Sequence, residues 1–160
     1  MKNIILIRHA KSSWEFPIPD KERELTSKGI KKAIEIAKKS LSFISPSATI
    51  WSSSSKRTLL TAKIFLEIWS LDTNKIIVKD DLYTFECSEL KEIVKSCPNQ
   101  CENLILFGHN GAITDFVNKF GNKYISNVPT SGMVSINFDT DCWSEITKGT
   151  TQTLLFPSKN

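Results

Sequence analysis

Two short, uninterrupted apolar runs constrain this chain more than anything else in it. Residues 4–7 (IILI) and 104–107 (LILF) hold four apolar side chains in succession, with no polar alternation. A strand of that kind is buried on both faces, which a parallel sheet covered by helices on each side provides. Both runs also end alike. The first passes into Arg8 and His9, the second into Gly108, His109 and Asn110. The chain has only two histidines, so each of them follows a buried strand. In open α/β sheets the ligand site lies beyond the carboxyl ends of the strands, and that edge would gather both imidazoles.

The remaining pattern is consistent with such a sheet. A polar loop with Pro17 and Pro19 runs to about Leu25, and Thr26 stands as an N-cap for a helix over residues 27–41. Ile30, Ala33, Ile34 and Ala37 fall on one face of it, and Gly29 costs about 1 kcal/mol in its interior. Residues 48–51 read as a second strand, closed by the serine run 52–55. A helix over 56–69 follows, with Leu59, Ala62, Phe65, Leu66 and Trp69 inward. Residues 76–78 predict a third strand and 88–97 a helix capped by Ser88. Residues 112–120 predict a helix after the 104–107 strand, and 133–138 and 151–156 the last two strands. Strand alternating with helix predicts an α/β fold: three layers, a mainly parallel sheet flanked by helices on both faces. The length suits one domain over residues 1–160.

Composition narrows the function. The net charge is +4, and lysine and glutamate are intermixed, as in "SKGIKKAIEIAKKS", with no basic stripe of the kind that binds nucleic acid. A modest positive balance suits an anionic substrate. The first apolar run is too short for a signal peptide, and no stretch approaches a membrane span. The expectation is a cytoplasmic monomer with no membrane or nucleic-acid partner. Four cysteines at irregular spacing, with Cys97 and Cys101 as CxxxC, read as reduced structural thiols.

Two imidazoles and two arginines, Arg8 and Arg57, would then share one strand edge. The guanidinium fork matches phosphate oxygens in a bidentate way. Two of them would hold a phosphoryl group without a metal or cofactor. One histidine could attack phosphorus and split transfer into two easier steps. Neighbouring arginines would keep His9 neutral, as a nucleophile requires. The other histidine, protonated once phosphate is bound, would meet developing charge on the equatorial oxygens. Arg57 opens a helix, where a cation opposes the helix dipole, so its position calls for an anion.

The segments "LIRHAKSSW", "RELTSKG", "SSSSKRTLLTA" and "LILFGHNG" resemble, in order and spacing, the histidine phosphatase superfamily. The likeness extends from about Asn3 to Gly132. The RHA form and the short chain look most like the SixA-type phosphohistidine phosphatases of that group. The resemblance implies a phosphoglycerate mutase-like fold, with His9 as the phosphorylated nucleophile. Arg8, Arg57 and His109 would form the phosphate pocket, with Ser12 close by and backbone N–H groups at Asn110 and Gly111 as further donors. It also implies a phosphorylated protein, such as a phosphotransfer domain, as substrate. A small-molecule phosphomonoesterase or mutase, or a non-catalytic phosphoprotein-binding module, are the alternatives. The sequence departs from the pattern at Glu24 (for Pro), Lys28 (for Arg) and Gly111 (for Pro). The family's general acid has no motif here; Glu86 is the candidate, with Glu89 nearby.

Overall fold

The computed structural model describes residues 1–159. Its strands and helices are β1 (Lys2–Arg8), α1 (Ser27–Lys39), β2 (Thr49–Ser53), α2 (Lys56–Ile68) and β3 (Ile76–Lys79), followed by α3 (Cys87–Lys95), β4 (Asn103–Gly108), α4 (Ala112–Phe120), β5 (Met133–Phe138) and β6 (Thr150–Leu155). All strands join one sheet in the order β3-β2-β4-β1-β5-β6. The first four strands run parallel, and β5 and β6 are antiparallel. The expected mainly parallel α/β sheet is present. β1 and β4 are its centre, and their continuous apolar runs explain why. Ile4 and Leu6 pack with Phe116 of α4, whereas Ile5 and Ile7 pack with Phe65 of α2. Both faces of β1 are therefore removed from water, as the absence of alternation requires.

Local signals agree with the helices in most places. Thr26 accepts from the Gly29 N–H at 2.9 Å and caps α1, and the Ser55 side chain accepts from the Thr58 N–H and caps α2. Three readings change. α3 begins at Cys87 behind Glu86, so Ser88 is inside the helix and not its cap. On α1 the inward residues are Gly29, Ala33, Ile36 and Ala37, while Ile30 is exposed and Ile34 half-buried. The helix is rotated so that its small residues meet the loop below, and bulky Ile30 has no room there. On α2, Leu59 is half-buried because Thr58 and Thr61 take the inward positions beside the strand ends.

Gly29 explains the rotation. A Cβ there would clash with the Lys11 carbonyl oxygen and lie 3.0 Å from the Lys11 nitrogen. That carbonyl accepts from the Thr26 N–H at 2.9 Å, and the Ser13 N–H donates to the Glu24 carbonyl at 2.7 Å. The segment after His9 is thus clamped against the start of α1. By propensity alone, Gly29→Ala would stabilise a helix by about 1 kcal/mol. Here it is expected to destabilise the protein by about 1–3 kcal/mol, because the backbone must move. A urea midpoint for Gly29→Ala at or above that of the parent chain would refute the clamp.

Candidate active site

In the β1–β4 ladder Arg8 pairs with Gly108. His9 and His109 therefore leave neighbouring strands at the same level, and their ring centroids lie 5.4 Å apart. β2 flanks β4 on the other side, and α2 starts just beyond it, which brings Arg57 to the same place. The Arg57 Nε donates to His9 Nε2 at 3.4 Å, and its Nη2 reaches His109 Nδ1 at 3.4 Å. The four residues named from the sequence lie together at one edge of the sheet. Arg8 adds a buried Nε with no hydrogen-bond partner among the described residues. A buried donor left unmatched costs about 1–3 kcal/mol, so its placement suits a site that receives an acceptor. Its Nη1 donates to the Val128 carbonyl at 3.0 Å, which fixes the side chain.

Hydrogen bonds assign the imidazole tautomers. His9 Nδ1 lies 2.7 Å from the Ala10 carbonyl, which only accepts, so the proton is on Nδ1 and the Nε2 lone pair faces the pocket. Arg57 can only donate to His109 Nδ1, so the His109 proton is on Nε2, which donates to Ser53 Oγ at 2.9 Å. Burial pushes the His9 pKa down to about 4, helped by the charges of Arg57, Arg8 and Arg23 against the pull of the Ala10 carbonyl. Burial, then the neighbouring His9 and Arg57, push His109 down to about 3. Both rings are neutral at pH 7.

A cavity of about 320 Å³ opens here, lined among others by Arg8, His9, Ser12, Arg57 and Asn110; His109 is buried beside Arg57 and is not part of that lining. Asn110 borders it, but its side chain holds the start of α4. Its Oδ1 accepts from the Thr114 N–H at 3.0 Å, and its Nδ2 donates to Asn127 at 2.7 Å. Glu86 is not among the lining residues. It is exposed at the start of α3, its N–H donating to Thr84 Oγ1 at 3.2 Å. Phe85 instead faces the pocket and packs on the His109 ring at 5.1 Å between centroids. Glu89 accepts from the Thr84 hydroxyl and is turned away in the same manner.

Sequence reasoning missed three site residues, Asp20, Arg23 and Tyr83. Asp20 takes the Arg57 Nη2 at 3.0 Å on Oδ2, where the Tyr83 hydroxyl also donates. On Oδ1 it takes Arg23 Nε and Nη2, each at 3.0 Å. Arg23 is 5% exposed, donates to Ser12 Oγ, and stacks on Trp14 with its guanidinium carbon 3.5 Å from the ring centroid. Burial works to raise the Asp20 pKa, but the Tyr83, Arg57 and Arg23 contacts outweigh it and hold the group at about 2. Arg23 stood in the quoted "RELTSKG" segment, whereas Asp20 lies in an aperiodic proline loop with no signal. The serine run, read as a loop, supplies Ser53 to His109 and Ser55 to the cap of α2.

The model of the histidine phosphatase superfamily (branch 1) matches residues 4–90. None of the curated proteins compared with the chain matches it. Among solved structures, a protein of Agrobacterium tumefaciens provisionally named a phosphohistidine phosphatase SixA is 22% identical. It covers 98% of this chain and 99% of its own, with a TM-score of 0.80. The protein histidine phosphatase SixA complexed with tungstate is 15% identical, with 97% of each chain covered and a TM-score of 0.80. A mycobacterial glucosyl-3-phosphoglycerate phosphatase is 12% identical, with 99% of this chain and 100% of its own covered and a TM-score of 0.67. At such identities these likenesses speak for the fold.

The two depressed histidines make a stability prediction. Their folded pKa values lie below the ordinary 6.5, so between pH 6.5 and about 4 the unfolded chain binds protons that the native one refuses. Stability is full above that window and falls as pH drops through it, by about 1.4 kcal/mol per pH unit for each proton. Urea unfolding between pH 5 and 6.5, above the carboxylate range, should show this slope. His9→Gln and His109→Gln should each remove about half of it; an unchanged slope in both variants would contradict the neutral assignment.

Proposed function

The chain belongs to the histidine phosphatase superfamily, and from that premise we propose that it hydrolyses phosphohistidine on a protein through a phosphorylated His9, without a metal. The single observation that carries the chemistry is the His9 tautomer. With Nδ1–H bound to the Ala10 carbonyl, the Nε2 lone pair is turned toward Arg57 at the edge of the pocket that Arg8, His9 and Arg57 line. His9 Nε2 attacks phosphorus, the bond from phosphorus to the leaving atom breaks, and that atom keeps the electron pair. Water then displaces His9 from the phosphoryl group. Arg8 and Arg57 offer fixed N–H donors to the equatorial oxygens, where charge is concentrated in the transition state. His109 is an acceptor toward Arg57 in the resting pocket; a dianion beside it favours the protonated ring and turns it into a further donor.

The substrate class rests on the leaving group and on the rim. Among the described residues the carboxylate lining the pocket is Asp20, ionised far below neutral pH and so unable to give up a proton there. A sugar phosphate leaves as an alkoxide and needs a proton donor, which typically contributes about 10²–10⁴-fold. A phosphorylated imidazole, protonated on its other nitrogen, leaves as a neutral ring and needs none. Around the mouth, Trp14 is 76% exposed and Phe85 45%. Exposed aromatic surface beside a phosphate pocket suits a macromolecular partner that covers it.

Turnover should be fast with phosphoramidate or a phosphohistidine peptide, slower with aryl phosphates, and poor with hexose phosphates or 3-phosphoglycerate. Rapid turnover of the last two would move the protein to the small-molecule phosphatases. His9→Ala should abolish release of phosphate and of the acid-labile phosphoenzyme trapped by rapid quench; a variant that still turned over would end the mechanism. Arg57→Ala should cost about 2–4 kcal/mol, or about 30–1000-fold in kcat/KM. Glu86→Gln should leave the ratio of aryl phosphate to phosphoramidate rates unchanged, and EDTA should not reduce either rate.

A further inference from the structure

The Asp20 carboxylate is an unexpected group in a phosphate pocket, since it repels the anion the pocket would take. It is not a stray side chain. Both of its oxygens are used, Oδ2 by Arg57 Nη2 and Tyr83, and Oδ1 by the Nε and Nη2 of Arg23, at 3.0 Å for each arginine contact. A carboxylate has about four acceptor positions, so no lone pair is left for a substrate N–H. Its backbone carbonyl also takes Arg57 Nη1 at 2.7 Å. The carboxylate therefore contacts the two guanidinium groups much as a phosphoryl group would. It does so from the mouth: its side chain is 38% exposed, against 2% for Arg57 and 6% for Arg23.

We propose that Asp20 is a resident counter-ion that competes with phosphate for the Arg57 and Arg23 forks, lowering the affinity of the pocket for its product. The proposal rests on the phosphatase reading above and assigns this residue a task within it. Arg57 already directs four of its five N–H groups to Asp20, His9 and His109. A phosphoryl group gains those donors only by displacing the acceptors that hold them. With both imidazoles neutral, Arg8, Lys11, Arg23 and Arg57 line the pocket with four cations against the one carboxylate of Asp20, which leaves three net positive charges to meet the two negative ones of a phosphate dianion. Without Asp20 the balance becomes four, and inorganic phosphate, which is the product, is held harder than turnover requires. Asp20 touches no reacting atom; it acts through the arginines.

The test is direct binding of inorganic phosphate and of vanadate by calorimetry, with the full chain and its Asp20→Asn and Asp20→Ala variants. Both variants keep the backbone carbonyl that takes Arg57 Nη1, so the guanidinium retains one anchor. Each should bind phosphate and vanadate about three- to tenfold more tightly, the range for removing one partly exposed opposing charge. KM for an aryl phosphate should fall in step while kcat does not rise. Asp20→Glu, which restores the charge, should return the phosphate affinity toward that of the parent chain. If both variants bind phosphate equally or more weakly, Asp20 only positions the arginines and the proposal is overturned. If the parent chain binds neither anion, the phosphatase reading itself fails, which the comparison among variants would not produce.

Discussion

The site depends on one buried side chain, Arg57, whose residue is 1% exposed. A guanidinium cannot shed its charge, and its removal from water carries a penalty of several kcal/mol unless partners replace the solvent. Its partners come from three directions: Asp20 from the loop after β1, His9 from the end of β1, and His109 from the end of β4. It also sits in the first turn of α2, where the helix dipole disfavours a cation. The Asp20 pair and a bound anion each answer that cost. Tertiary structure thus converges on Arg57 because the protein cannot leave it unpaired.

The sheet supplies the precision. Three adjacent strands, β2, β4 and β1, end at one level, and their registers tie Ser52 to Phe107 and Arg8 to Gly108. Residues one step past those pairs then face each other without any loop having to be stiff. Ser53 Oγ meets His109 Nε2 for this reason, and the fixed proton on Nε2 leaves Nδ1 as the acceptor toward Arg57. On the other flank the turn before β5 locks the first strand end. The Ser131 N–H donates to the Arg8 carbonyl at 3.0 Å, and Val128 holds the Arg8 guanidinium. The rigid sheet edge carries Arg8, His9 and His109, while the proline loop carries the Asp20 carboxylate.

That division explains what the sequence revealed and what it hid. His9, His109 and Arg57 were legible because each follows a strand or opens a helix whose periodicity is clear, and because the chain spends both of its histidines in this way. Strands β1 and β4 were legible for the same reason, and β5 and β6 were legible as strands, though not in their antiparallel direction. Asp20 and Tyr83 were not, since they meet through a contact 63 positions apart between two aperiodic segments. Nothing in an unpatterned loop says which carboxylate will face an arginine. Glu86 illustrates the converse. The family resemblance puts a general acid in this loop and made Glu86 the candidate, but an extended backbone alternates its sides, and placing Phe85 over His109 sends Glu86 to solvent. The start of α3 shifted from Ser88 to Glu86 because no side-chain cap is used there at all.

That the carboxylate lining the pocket is ionised, and that it is paired with arginines, have a common physical basis. On the proposed reading the pocket accepts phosphoryl groups on good leaving atoms and has no departing alkoxide to stabilise, so its lining can be given over to charge balance. A carboxylate held at about 2 by Tyr83, Arg57 and Arg23 cannot serve as an acid at neutral pH, and those same contacts let it offset the arginines. Had the lining carboxylate been left in an apolar niche, desolvation would have raised its pKa and made it a donor for harder substrates. Arg57 and Arg23, which hold Asp20 ionised, therefore also deny that carboxylate general acid chemistry. One group of side chains sets both how tightly phosphate is held and which bonds to phosphorus can be broken.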